Sequence, residues 1–260
     1  MESGALRADA ERKAARPRAW SRRPAENVRY WLRYRFNCYQ PYLKLIEWKY
    51  RDRPDRIIRP ETELVIEGFG RSASSYAVVC LELAQDRPLG SAHHTHAAAQ
   101  VVKAAGLRLP TIVIVKKPDE VAISHMVRHP GLQPQTILRA WIRFHRTVAT
   151  VADRAVVISV DELDRNYGGV IERLNDRFGT SFVPPPATEE FDKRVHDEMW
   201  QRHLRQRRPD LHFGRPTPER QRAKEAMRHR LEAPRLQTLR REANDLYASL
   251  TGEPVISPSA

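Results

Sequence analysis

Cysteine is scarce in this 260-residue chain: Cys38 and Cys80 are its only two. They show neither metal-ligand spacing nor a disulfide framework, so a reducing compartment is the expectation. No apolar run approaches the roughly 20 residues that a membrane-spanning helix needs. The N-terminus has no apolar signal core either. These absences predict a soluble, cytoplasmic protein. Acidic residues are also in deficit. Lys and Arg number 45 against 32 Asp and Glu, a formal net charge of +13, which favours polyanions, anionic membranes or anionic cofactors as partners. Internal repeats and metal-binding Cys patterns are lacking, and so is the Walker sequence Gly-x4-Gly-Lys-Ser/Thr.

What remains divides into three parts. Residues 1–24 are charged, Ala-rich and without apolar period, which predicts a disordered basic tail. Residues 25–60 mix aromatics with Arg and Lys around Pro41, and read as a helical segment. Its Trp31, Leu32, Phe36 and Leu43 are expected to pack on the domain, although such a stretch also suits nucleic acid or a membrane surface. Residues 61–255 form the main domain. Short β-branched runs at "ELVIEGF", "PTIVIVKKP" and "AVVISVDEL" read as buried parallel strands. Amphipathic stretches between them read as helices, and Gly179 closes the helix "GGVIERLNDRF". That alternation predicts an α/β fold, a parallel sheet flanked by helices.

The first strand runs into Gly68-Phe69-Gly70-Arg71-Ser72-Ala73-Ser74-Ser75 and then a helix. A strand-turn-helix of this kind aims free backbone N–H groups and the positive helix end at one point. Ser72, Ser74 and Ser75 add hydroxyls, and Arg71 adds a planar fork suited to phosphate oxygens. The bland alternative is a Gly-Ser turn. A second segment puts Lys116 at a strand end and Ser124 eight residues on, where both can reach an anion at the carboxyl edge of the sheet.

Together these segments resemble the sulfotransferase family that uses 3′-phosphoadenosine 5′-phosphosulfate (PAPS), in particular its bacterial members with Arg in the first loop. The resemblance spans roughly residues 62–182 and implies a P-loop nucleotide-binding, sulfotransferase-like fold. By it, Gly70, Arg71, Ser72, Ala73, Ser74 and Ser75 hold the 5′-phosphosulfate, Lys116 and Ser124 hold the 3′-phosphate, and the product is 3′-phosphoadenosine 5′-phosphate (PAP). Ala73 stands where the family usually has Gly, and Lys116 where it has Arg. The family's C-terminal Arg-Lys-Gly loop has no clean match; Arg215, Arg220 and Lys224 are substitutes.

Transfer to a hydroxyl needs a base, and "GSAHHTHAAAQ" supplies His93, His94 and His96. By the family's Lys-Thr-His spacing His96 is the first choice and His94 the second, with Glu82 behind them. No metal is expected. Zinc on the three histidines is an alternative reading, and histidines capping the next helix are another. The reaction so implied is in-line sulfuryl transfer to the hydroxyl (or amine) of a small-molecule, glycan or lipid acceptor, with Arg71 stabilising the leaving phosphate. Two competing functions stay open: a nucleotide-dependent kinase with Asp161 or Glu162 on magnesium, and a non-catalytic binder of nucleic acid or membrane. Nucleic acid is the less favoured partner. An anionic membrane surface reached through the basic N-terminus is the favoured peripheral contact.

Overall fold

A computed structural model describes residues 24–205 and 218–253. Residues 1–23 of the basic tail and Arg215 lie outside the described residues. Two helices come first, α1 (Pro24–Phe36) and α2 (Gln40–Lys49). Pro41 sits in the first turn of α2, where a missing N–H costs no helical bond. The sheet follows: β1 (Leu64–Gly68), β2 (Ser91–His93), β3 (Thr111–Val115) and β4 (Val156–Ser159). The strands lie in the order β2-β1-β3-β4, with every pairing parallel. Parallel neighbours require crossover connections, and helices supply them: α3 (Ser74–Ala84), α4 (Ala98–Gly106), α5 (Pro118–Arg128), α6 (Pro134–Ala149) and, after β4, α7 (Val160–Phe178). The remaining long helices are α8 (Glu189–Leu204), α9 (Pro218–Arg228) and α10 (Gln237–Thr251).

Strand side chains alternate between two apolar layers, as a period of two requires. Leu64, Ile66, Ile112, Ile114 and Ile158 face α3, α7 and α8. Val113 and Val115 face α4, α5, α6 and α10, where Trp141 and Phe144 are fully buried. The α/β fold with helices on both faces is therefore present as expected. Among the described residues no helix is long and apolar enough to cross a membrane.

Three expectations are corrected. The strand read from "AVVISVDEL" stops at Ser159, because the Ser159 hydroxyl accepts from the Glu162 backbone N–H at 2.9 Å and starts α7 there. A fourth strand, β2, lies in the segment read only as a histidine cluster. In α1 the packing face differs from the one expected. Tyr34 is buried and Tyr30 packs against the core, whereas Trp31, Leu32 and Phe36 are 42%, 39% and 43% exposed. Leu43 is buried as expected, beside Ile46 on α2.

Candidate functional site

The site lies at the carboxyl ends of β1 and β2, the edge where parallel sheets expose loops and helix N-termini. After β1 the chain folds tightly. A Cβ on Gly68 would come within 2.6 Å of the Ile114 carbonyl oxygen, and one on Gly70 within 2.7 Å of the Tyr34 hydroxyl. Only glycine fits both positions. Arg71 and Ala73 then adopt left-handed backbone, with φ of 73° and 63°. The Gly70 carbonyl accepts from His125 Nε2 at 3.0 Å, and Tyr34 stacks on Phe69 with ring centroids 4.4 Å apart. Loop shape is thus held from α5 and α1.

This loop delivers the start of α3 without a side-chain cap. Among the described residues, the backbone N–H groups of Ser72, Ala73, Ser74 and Ser75 donate to no protein acceptor. Unaccepted N–H groups at a helix N-terminus, with the helix dipole behind them, form an anion cradle. Ser72 and Ser74 bond each other through their hydroxyls at 3.1 Å, and both are buried. Arg71 Nε donates to Ser124 Oγ at 3.1 Å, so two residues assigned to opposite ends of a nucleotide are in direct contact. Lys116 does not join them. Its Nζ pairs with Glu120 at 3.3 Å, one helical turn along α5. Nearby, burial pushes the Lys224 amine down, and the cations Lys116, Arg220 and Arg228 lower it further. Lys224 therefore shares an electrostatic neighbourhood with Lys116, Arg220 and Arg228.

The loop after β2 is strained in the same manner, with φ of 60° at His94 and 53° at His96. Its shape is explained by a residue that sequence reasoning missed. Glu67, at the end of β1, is fully buried. Its carboxylate accepts from Thr95 N at 2.9 Å, Thr95 Oγ1 at 2.6 Å, His96 N at 3.1 Å and Gln100 Nε2 at 3.0 Å. Burial pushes its pKa up to about 7, while those donors hold it down. A lone carboxylate inside the apolar run "LVIEG" was the available signal. Two further supports had none: Asn37 Nδ2 donates to the His96 carbonyl and Arg56 to the His94 carbonyl, each at 3.0 Å.

The three histidines take different positions. His94 Nε2 contacts Ser75 Oγ at 2.8 Å and its Nδ1 contacts His93 Nδ1 at 2.5 Å, so both nitrogens are engaged. His96 Nδ1 lies 2.9 Å from the Gly68 carbonyl, which can only accept. The proton therefore sits on Nδ1, leaving the Nε2 lone pair available. Burial lowers the His96 pKa to about 4, with Arg33, Arg56 and Arg71 adding to the fall, so the ring is neutral near pH 7. Glu82 is engaged by a cation, pairing with Arg202 at 2.6 Å. Asp161 pairs with Lys117 at 2.6 Å and Glu162 with Arg173 at 2.8 Å. Among the described residues, no group of three or more His, Cys, Asp or Glu is arranged to hold a metal.

No protein-family model matches this chain. No curated protein matches it in sequence either. Among solved structures, that of mouse sulfotransferase SULT7A1 complexed with PAP is similar at a TM-score of 0.41 and 12% identity, over 73% of this chain and 92% of that one. A likeness that distant assigns no activity.

Proposed function

We propose that this protein is a sulfotransferase that moves a sulfuryl group from PAPS to an acceptor hydroxyl. The observation that carries the reading is the presence, at one edge of the sheet, of Ser72–Ser75 N–H groups that donate to no described protein acceptor and of a neutral imidazole whose Nε2 is available. PAPS, when bound, supplies a sulfuryl group attached to a phosphate leaving group. The residues present fit such a ligand, because the orphan N–H donors and Arg71 suit one phosphate while Lys116, Arg220 and Lys224 suit another. Ser124 orients the Arg71 guanidinium toward its task through the 3.1 Å bond. His96 Nε2 takes the acceptor proton, and Gly68 keeps its other nitrogen protonated. Arg71 and the cradle N–H groups stabilise negative charge left behind on phosphate oxygen. His94 acts as a positioning residue for Ser75 rather than as the base. The kinase reading is less favoured because Asp161 and Glu162 are each engaged by a cation of the chain. The acceptor class and a cytoplasmic working place belong to this proposal as well.

Thermal shift with PAP, ADP and AMP tests it, since ligands of the native state stabilise by mass action. PAP is expected to raise the melting temperature far more than ADP or AMP, with EDTA making no difference. Equal shifts for all three would overturn the assignment, and a shift lost on chelation would favour the kinase.

A further inference from the structure

Helix α1 has two apolar faces, and the described residues cover only one. Tyr30 and Tyr34 face the core. The opposite stripe, Val28, Trp31, Leu32 and Phe36, repeats at helical spacing and is exposed. Exposed Tyr39 follows in the turn, and exposed Leu45 and Trp48 follow on α2. Between the two helices, Val28, Leu32, Phe36 and Tyr42 line an open groove of ≈ 640 Å³.

Charge on these helices is one-sided. They carry five cations, Arg29, Arg33, Arg35, Lys44 and Lys49, against two acids, Glu26 and Glu47. Both acids are turned to the rest of the domain, Glu26 pairing with His129 at 3.2 Å and Glu47 with Lys103 at 2.6 Å. Among the described residues none of the five cations pairs with a carboxylate. Instead, Arg35 lies over the Trp31 ring at 5.4 Å and Lys49 over Tyr50 at 5.0 Å.

We propose that this outer face of α1 and α2 is a docking surface for an anionic phospholipid bilayer. Exposed Trp and Tyr suit the boundary between headgroups and acyl chains, and aliphatic Val28, Leu32 and Leu45 suit the acyl side. These five cations complement acidic headgroups. A single-stranded nucleic acid would also find cations and rings, but it has no use for an aliphatic stripe along a helix. The docking surface also has a mechanical tie to the histidine loop. Asn37, in the turn between the helices, holds the His96 carbonyl at 3.0 Å, and its exposed neighbours Phe36 and Tyr39 belong to the proposed face. This inference does not depend on the sulfotransferase reading.

The test uses the full chain with sedimenting vesicles, either phosphatidylcholine alone or equal parts phosphatidylcholine and phosphatidylglycerol. Binding is expected only to the anionic vesicles, weakening as salt rises. Brominated acyl chains should quench tryptophan fluorescence. The triple variant Trp31→Ser, Phe36→Ser and Trp48→Ser should keep the wild-type melting temperature and lose roughly tenfold or more in vesicle affinity. If it fails to fold, the pair Arg29→Glu and Lys44→Glu carries the test and should weaken anionic binding alone. Wild-type affinity in these variants would overturn the proposal, as would equal binding to both vesicle types or no binding at all. Two other results would replace it: oligouridylate binding lost in the same variants, which assigns the face to nucleic acid, or a dimer that the triple variant dissociates, which assigns it to self-association.

Discussion

Two loops leave neighbouring strands at the same edge of the sheet, and each places two non-glycine residues in left-handed backbone two positions apart: Arg71 and Ala73 after β1, His94 and His96 after β2. Each such residue costs on the order of 1–2 kcal/mol. In the second loop the Thr95 and His96 N–H groups converge on the carboxylate of Glu67. In the first, the N–H groups of Ser72–Ser75 converge on no acceptor among the described residues. The same contortion therefore produces two objects. One is a concavity filled by the protein's own Glu67 carboxyl group, which supports the backbone beneath the imidazole. The other is open to an anion from outside.

The largest expected effect tests whether the filled loop carries the base. His96→Ala should lower sulfuryl-transfer turnover by roughly 10²–10⁴-fold, the range of a lost general base, and leave PAP affinity within a few-fold. Loss in His94→Ala with normal turnover in His96→Ala would reverse the roles given to the two rings. Next comes the carboxylate that fills the loop. Glu67→Ala leaves buried donors without a partner and should cost about 3–5 kcal/mol in urea unfolding. A loss well under that would mean the loop holds its shape unaided.

Acidification separates the two loops more finely. Burial holds His93 and His96 down to about 4, and His125 and His145 down to about 3. A base depressed in the folded state contributes stability above its unfolded value, here 6.5, and loses it as pH falls through the folded value. Glu67, raised from 4.5 to about 7, has the opposite sign: its contribution is present below 4.5 and is lost as pH rises through about 7. The histidines outnumber it, so the melting temperature should fall between pH 7 and pH 4, and more steeply in Glu67→Gln. A flat profile would contradict the burial of the rings. The smallest effect belongs to the open loop. Ala73→Gly relieves left-handed strain but adds chain entropy to the unfolded state, so stability should change by less than about 1 kcal/mol, with Ala73→Val clearly worse.

Strands β1, β3 and β4 were legible because each is an apolar, β-branched run with a turn residue beyond it. Strand β2 was not, since Ser91–His93 is three residues long at an edge and two of the three are polar. The helical start at Val160 was legible in principle from Ser159 and Glu162, a cap with its acidic partner three residues on. In α1, aromatic content favoured Trp31 and Phe36 as the packing face, while contact with Phe69 selected Tyr34. Residue types and spacing singled out the Gly-Ser turn after β1, the family resemblance singled out His96, and the roles of both belong to the proposed function. Lys116, just past β3, pairs with Glu120, a neighbour that charge alone did not assign. Glu67 escaped notice because its partners, Thr95, His96 and Gln100, lie 28 to 33 positions away.

The shortness of β2 has one more consequence. An outermost strand is where a sheet recruits foreign strands and begins ordered aggregation. Here that strand offers three residues, and the His93 N–H already donates to the Asp55 carbonyl at 3.0 Å. A template so brief and partly occupied is a poor seed for a fibril along this margin, so the strand that ends the sheet beside the histidine loop is shielded from pairing with another chain.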